Sequence, residues 1–240
     1  MWMLLAGVLI AIHWITFFHA IKISTVSVTL ACMSTGAFFG SLLEPLFYKR
    51  KIDLREISLG LLVIAGLYII FSFESQYTWG IVTALCSAFL SALFSVVNAK
   101  LVKKHSPVRI TFMELLGGWL AIGIFAALQL GFGTMELTQF TFTTTDALYL
   151  FILGGICTAY PFIESVAIMR QLSPFSVLLT INLEPVYGIA LAFFILGDKE
   201  HMSPHFYLGA SIILLTVVAD GILKKWISTR KRNTNASEIA

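Results

Sequence analysis

Long apolar runs recur along this chain, and most of its charge falls in short clusters between them. Crossing the hydrocarbon core of a bilayer, about 30 Å, takes about 20 helical residues. Eight segments meet that requirement, near 2–21, 25–46, 57–74, 79–99, 108–130, 147–168, 174–196 and 205–224. Each must pair its backbone N–H and C=O groups internally, because lipid offers no partner, and a helix does this for a continuous stretch. The expected fold is therefore all-α, a polytopic membrane protein of eight transmembrane helices. Composition closes the soluble alternative. With 58% hydrophobic residues, 12% charged and a mean hydropathy of +0.89, charge is too scarce to cover a globular surface. Disorder and nucleic-acid binding are excluded on the same ground, and the lipid bilayer is the expected surrounding.

Sidedness follows from the basic residues. Of the 16 Lys and Arg, only Lys22 and Lys199 fall on one side of the expected membrane, while the rest lie in alternate connections and the C-terminal tail. By the positive-inside rule both termini are expected in the cytoplasm of a multi-pass protein of the cell (inner) membrane. Trp2, Trp79 and Trp226 mark span ends, where indole rings favour the interface.

The chain also resembles itself. The segment from Ser24 aligns with that from Ser173 at a constant offset of 149, pairing Ser27 with Ser176, Val28 with Val177, Leu30 with Leu179 and Gly60 with Gly209. Spans one to three thus recur as spans six to eight. Copies five spans apart cross the bilayer in opposite directions, which defines inverted repeats.

The stretches "LSPFSVLLTINLEPVYGIALAFFILGDKEHMSPHFYLGASIILL", "LFILGGICTAYPFIESVAIMRQ" and "LLAGVLIAIHWITFFHAIKIS" resemble the EamA-type permeases of the drug/metabolite transporter superfamily. That resemblance implies ten helices in two inverted five-helix repeats, with the spans here matching the third through tenth. Residues 1–74 would form a partial first repeat, 75–224 the second, and 225–240 a basic, disordered cytoplasmic tail. Either the chain is part of a longer one or a shortened form closes its cavity by pairing; the oligomeric state stays open.

Polar side chains within hydrocarbon are costly, so their faces indicate a cavity. Span seven carries Ser176, Thr180, Glu184 and Tyr187 at helical spacing, span two carries Ser27 and Thr35, and span four Ser87, Ser91, Ser95 and Asn98. Span six adds Cys157, Tyr160 and Glu164, and span one His13 and Thr16. The alternative is that the hydroxyls bond back to their own helices or permit close packing. Glu184 precedes Pro185, which frees the carbonyl of Ile181, and this carboxyl is the candidate for a coupling proton or a substrate amine. Glu114 reads instead as snorkelling to the interface beside Arg109.

No phosphate loop or HExxH motif occurs, and Cys32, Cys86 and Cys157 have no metal or redox spacing. No cofactor, metal or enzymatic activity is expected. The implied function is a secondary transporter that exports a small organic metabolite, such as an amino acid or an amphipathic compound, by alternating access. A passive channel and an intramembrane enzyme are the rivals.

Overall fold

The computed structural model describes residues 2–49, 54–134, 136, 141–181, 183–197 and 202–239, and their regular elements are all helical. They are α1 (Trp2–Ile23), α2 (Val26–Met33), α3 (Gly36–Tyr48), α4 (Leu54–Phe73), α5 (Thr78–Leu101), α6 (Pro107–Gly131), α7 (Thr144–Gly154), α8 (Tyr160–Ile168), α9 (Pro174–Ile181), α10 (Glu184–Leu196) and α11 (Pro204–Ile239). A 3₁₀ turn, Ser75–Tyr77, leads into α5, and a π-helical segment, Gly155–Ala159, joins α7 to α8.

Among the described residues six stretches are long and apolar enough to cross a membrane: Trp2–Ile23, Val26–Tyr48, Ser75–Leu101, Pro107–Gly131, Thr144–Ile168 and Pro204–Leu223. The other two expected spans correspond to α4, whose apolar part is Ser58–Phe73, and to the α9–α10 pair. Helix α11 runs on past the last expected span as far as Ile239. No Pro or Gly follows Gly221 to stop that helix.

Spans two and seven are each broken, at Ser34–Thr35 and at Leu183, just before α10. Carried forward by the offset of 149, α2 and α3 fall on 175–182 and 185–197, within one residue of α9 and α10. Local chemistry accounts for both breaks. The Thr35 hydroxyl donates to the Cys32 carbonyl at 2.7 Å, and Gly36 follows, whereas Pro185 has no N–H to continue the ladder. The broken spans then pack crosswise, α2 against α10 and α3 against α9, while α4 lies along α11.

Helix α5 is the hub, packed against α1, α2, α3 and α9. Its Gly80, Ala84, Ala88, Ala92 and Val96 recur every fourth residue and are all buried, so small side chains admit the neighbours. The same device joins α1 to α6. A Cβ on Gly7 would strike the Glu114 carbonyl oxygen and lie 2.8 Å from the Gly118 nitrogen, and one on Gly117 would lie 2.6 Å from the Leu4 oxygen. Gly40 likewise receives Leu178 of α9, so the Gly36-x-x-x-Gly40 motif serves packing within the bundle. Large apolar side chains such as Phe151, Phe194 and Trp79 are exposed on the outside, as a lipid-facing surface requires.

Connections expected on the same side of the membrane meet in space. The Lys100 and Lys103 ammonium groups lie over the rings of Phe47 and Tyr48, and Arg170 donates to the His105 carbonyl at 3.4 Å. On the other side, buried Glu74 accepts from the Ser203 N–H at 3.0 Å and from Gln76 Nε2 at 2.7 Å, tying the α4–α5 turn to the start of α11.

Gly7→Ala should loosen the α1–α6 contact and destabilise the folded chain by about 1–3 kcal/mol, the usual cost of overpacking a tight interface. Thermal unfolding in detergent measures it. Gly123→Ala, where an added Cβ meets open space, is the control and should leave the midpoint unmoved.

Candidate functional site

A cavity of about 270 Å³ opens where α1, α2, α3, α5, α8, α9 and α10 converge. Both helix breaks contribute to its wall: Met33 and Gly36 flank the first, Ile181, Glu184 and Pro185 the second. Irregular backbone at membrane depth is tolerated where it lines such a cavity, because water or a solute can then serve its unpaired groups. The remaining wall is aromatic and hydroxylic, with Trp14, Phe17 and Phe18 from α1, Ser91, Phe94 and Ser95 from α5, and Phe162 and Ser165 from α8. No Lys or Arg belongs to it among the described residues.

His13 is fixed by α5. Its Nδ1 lies 3.0 Å from the Ser87 carbonyl oxygen and 2.8 Å from Ser87 Oγ, and the Ser87 hydroxyl donates to the His13 carbonyl at 3.0 Å. A carbonyl oxygen only accepts, so Nδ1 carries the proton and Nε2 keeps a lone pair in the neutral ring. The edge of Phe94 packs against the imidazole at 5.6 Å between centroids. The cavity wall at this point is therefore rigid and offers an acceptor.

Asn98 is the second anchored group. It lines the cavity yet is 1% exposed, and its Nδ2 donates to Glu114 Oε2 on α6 at 3.2 Å. Glu114 is fully buried, so it does not snorkel to the interface as its spacing from Arg109 suggests. The physical reason is the glycine contact: Gly7 draws α1 onto the α6 backbone at Glu114 and closes that face to solvent. The spacing from Arg109 misleads here; Gly117 and Gly118, which follow Glu114, mark that helix face as a tight contact.

Of the polar residues expected at the cavity, His13, Ser91, Ser95, Asn98 and Glu184 line it. Thr16 instead bonds back to the carbonyls of Ile12 and His13, at 2.8 and 2.9 Å. Ser27 and Thr35 are buried within the broken span and do not border the cavity. Tyr160, Glu164, Thr180 and Tyr187 are exposed, and the side chain of Ser176 lies outside the described residues. Two local irregularities explain the displacement. The break at Leu183 ends the helical register of span seven, so a face drawn from α9 does not carry through to Tyr187, and α9 itself meets the cavity with Leu178 and Ile181 rather than Thr180. In span six the π segment inserts an extra residue per turn before Pro161, which turns Cys157, Tyr160 and Glu164 outward and brings Phe162, Ser165 and Met169 inward.

These features define a class: a helical integral membrane protein whose cavity sits at the meeting of two broken helices. The EamA-like transporter family matches residues 78–219, more than half of the chain, and the chain belongs to that family. It is a membrane transporter of the drug/metabolite type, with a small-molecule substrate and the bilayer as its partners. A solved structure described only as "Crystal structure of protein" superposes with a TM-score of 0.61 at 13% identity, over 92% of this chain and 75% of its own, which shows a shared fold. No curated protein matches the chain.

Cysteine substitution separates cavity from lipid surface. In a background with Cys32, Cys86 and Cys157 replaced, Ser91→Cys and Ser165→Cys should react with a charged, water-soluble thiol reagent many times faster than Tyr160→Cys and Tyr187→Cys. The opposite order would return the site to the simple helical stripes.

Proposed function

We propose that the chain is a secondary carrier that exports a small organic metabolite across the cell (inner) membrane by alternating access. The observation that carries this reading is the placement of both helix breaks in the wall of one cavity. Two related spans broken at corresponding positions give the bundle two matched hinges, one in each half, and a solute held between them can be exposed to either side as the halves rock. On this reading residues 1–74 belong to one inverted repeat and 75–224 to the other. The basic connections that meet at the Phe47 and Tyr48 end face the cytoplasm, as do both termini.

The wall chemistry narrows the solute. Glu184, His13 Nε2, the Asn98 amide and serine hydroxyls supply acceptors, with aromatic rings around them. Such a lining suits an amphipathic molecule with an amine or hydroxyl donor, an amino acid or a related compound, more than a bare ion.

Counterflow in proteoliposomes tests the proposal, with a panel of radiolabelled aromatic amino acids and amphipathic amines as probes. A carrier shows uptake accelerated by unlabelled probe on the opposite side; saturable flux without that acceleration would make the chain a channel. Glu184→Gln should lower the counterflow of amine probes about tenfold, the loss of one charge-assisted hydrogen bond or slightly less.

A further inference from the structure

Behind the cavity wall lies a polar pair that helix packing does not require. Glu114 is fully buried in a membrane-spanning helix, with Oε2 accepting from Asn98 and Oε1 without any hydrogen-bond partner. Asn98 Oδ1 is equally unpartnered, although the residue is 1% exposed and borders the cavity. One turn before Glu114, the Thr111 hydroxyl is buried without a partner as well. Buried polar groups are normally satisfied, and three orphaned atoms on two facing helices call for an occupant or a second state.

We infer that Glu114 is a proton-binding site that sets the hydrogen-bonding character of Asn98, so that the cavity wall switches between acceptor and donor. An ionised carboxyl only accepts. It holds the amide by Nδ2, and leaves Oδ1, buried and unpartnered on a cavity-wall residue, as the acceptor that a donor-bearing solute must reach. A protonated carboxyl has an O–H to give, and the amide accepts it by turning half a revolution about its Cβ–Cγ bond. Oδ1 then faces Glu114 and Nδ2 faces the cavity. The proton comes from cavity water and is bound at a Glu114 oxygen, and no bond other than that O–H is made. A solute held through its own N–H or O–H loses its acceptor at that moment, so proton uptake and solute release are coupled. The inference rests on the cavity being the solute path.

Among the described residues no other ionisable side chain on the helices around Glu114 hydrogen-bonds its carboxyl. On α1, His13 is committed to Ser87, and on α8, Glu164 is exposed. Arg170 beyond α8 bonds the His105 carbonyl, Lys100 and Lys103 at the end of α5 cover Phe47 and Tyr48, and Arg109 on α6 is exposed. Glu184 shares the cavity but enters from α10. Asn98 is the one described side chain that hydrogen-bonds the Glu114 carboxyl.

Infrared difference spectroscopy on the full chain in lipid nanodiscs, stepped in pH, reads the switch without knowledge of the solute. The chain is made with isotope-labelled asparagine, so the amide carbonyl band is separable in the unsubstituted protein. Lowering the pH should raise a protonated-carboxyl band together with a shift of a labelled amide band. Glu114→Gln should abolish both, and Asn98→Leu should move the carboxyl band and remove the amide change. An amide band that stays fixed through the titration of the unsubstituted chain overturns the proposal, whether or not the variants fold. Probe counterflow that persists alongside such a fixed band would sink the switch and leave the carrier reading standing, whereas a working switch in a chain without counterflow would do the reverse.

Discussion

The structure depends on one constraint: within hydrocarbon, a backbone amide or carbonyl with no partner costs several kcal/mol. Every long apolar run accordingly becomes a helix, and any interruption must be compensated. This chain has two interruptions in corresponding spans, and both border the same cavity. The Ser34–Thr35 break is partly healed by hydroxyls that bond back to the Leu30 and Cys32 carbonyls. The break before Pro185 has no such remedy at the proline nitrogen, and Ile181, whose carbonyl would otherwise receive an N–H there, lines the cavity together with Glu184. The cavity is thus a condition for the broken helices, and the broken helices are what shape the cavity.

Packing around that space is done by small residues. With lipid on the outside there is no hydrophobic drive to bring helices together, and close contact through van der Waals surfaces takes its place. Gly7 against Glu114 and Gly118, and the buried alanines of α5, bring backbones near enough for the Ser87 hydroxyl and carbonyl to clamp His13 from the neighbouring helix. A larger residue at Gly7 would move α1, and with it His13 on one side and the Glu114 backbone on the other. Helix spacing and polar geometry are therefore one property of this bundle.

Much of this was legible in the sequence, because lipid makes the hydrophobic pattern nearly equivalent to the element list. Pro185 marked the break in span seven, whereas the break in span two, which the repeat offset carries onto it to within a residue, was not foreseen. Side-chain faces were legible only where helices stay regular. On α5, unbroken over Thr78–Leu101, the spacing of Ser91, Ser95 and Asn98 placed all three on the cavity. On spans six and seven, a π turn and a break reset the register, and Tyr160 and Tyr187 lie outside it. Glu114 misled for a different reason: its burial is decided by Gly7 on another helix, and the only local hint of that contact is the pair Gly117 and Gly118 on its own face.

That carboxyl also separates what folding needs from what it does not. The α1–α6 contact is made by Gly7, Gly117, Gly118 and the α6 backbone, so the Glu114 side chain adds nothing to it that an apolar residue of similar size would lack. Its desolvation is opposed by one hydrogen bond, at 3.2 Å, from a residue that itself retains an unpartnered oxygen. Removing both polar groups together would spare the bundle two unsatisfied atoms, and replacement of buried polar pairs by apolar ones is often neutral or stabilising. The pair is an expense that packing does not recover, and its Asn98 stands at the wall of the cavity where the two broken helices meet.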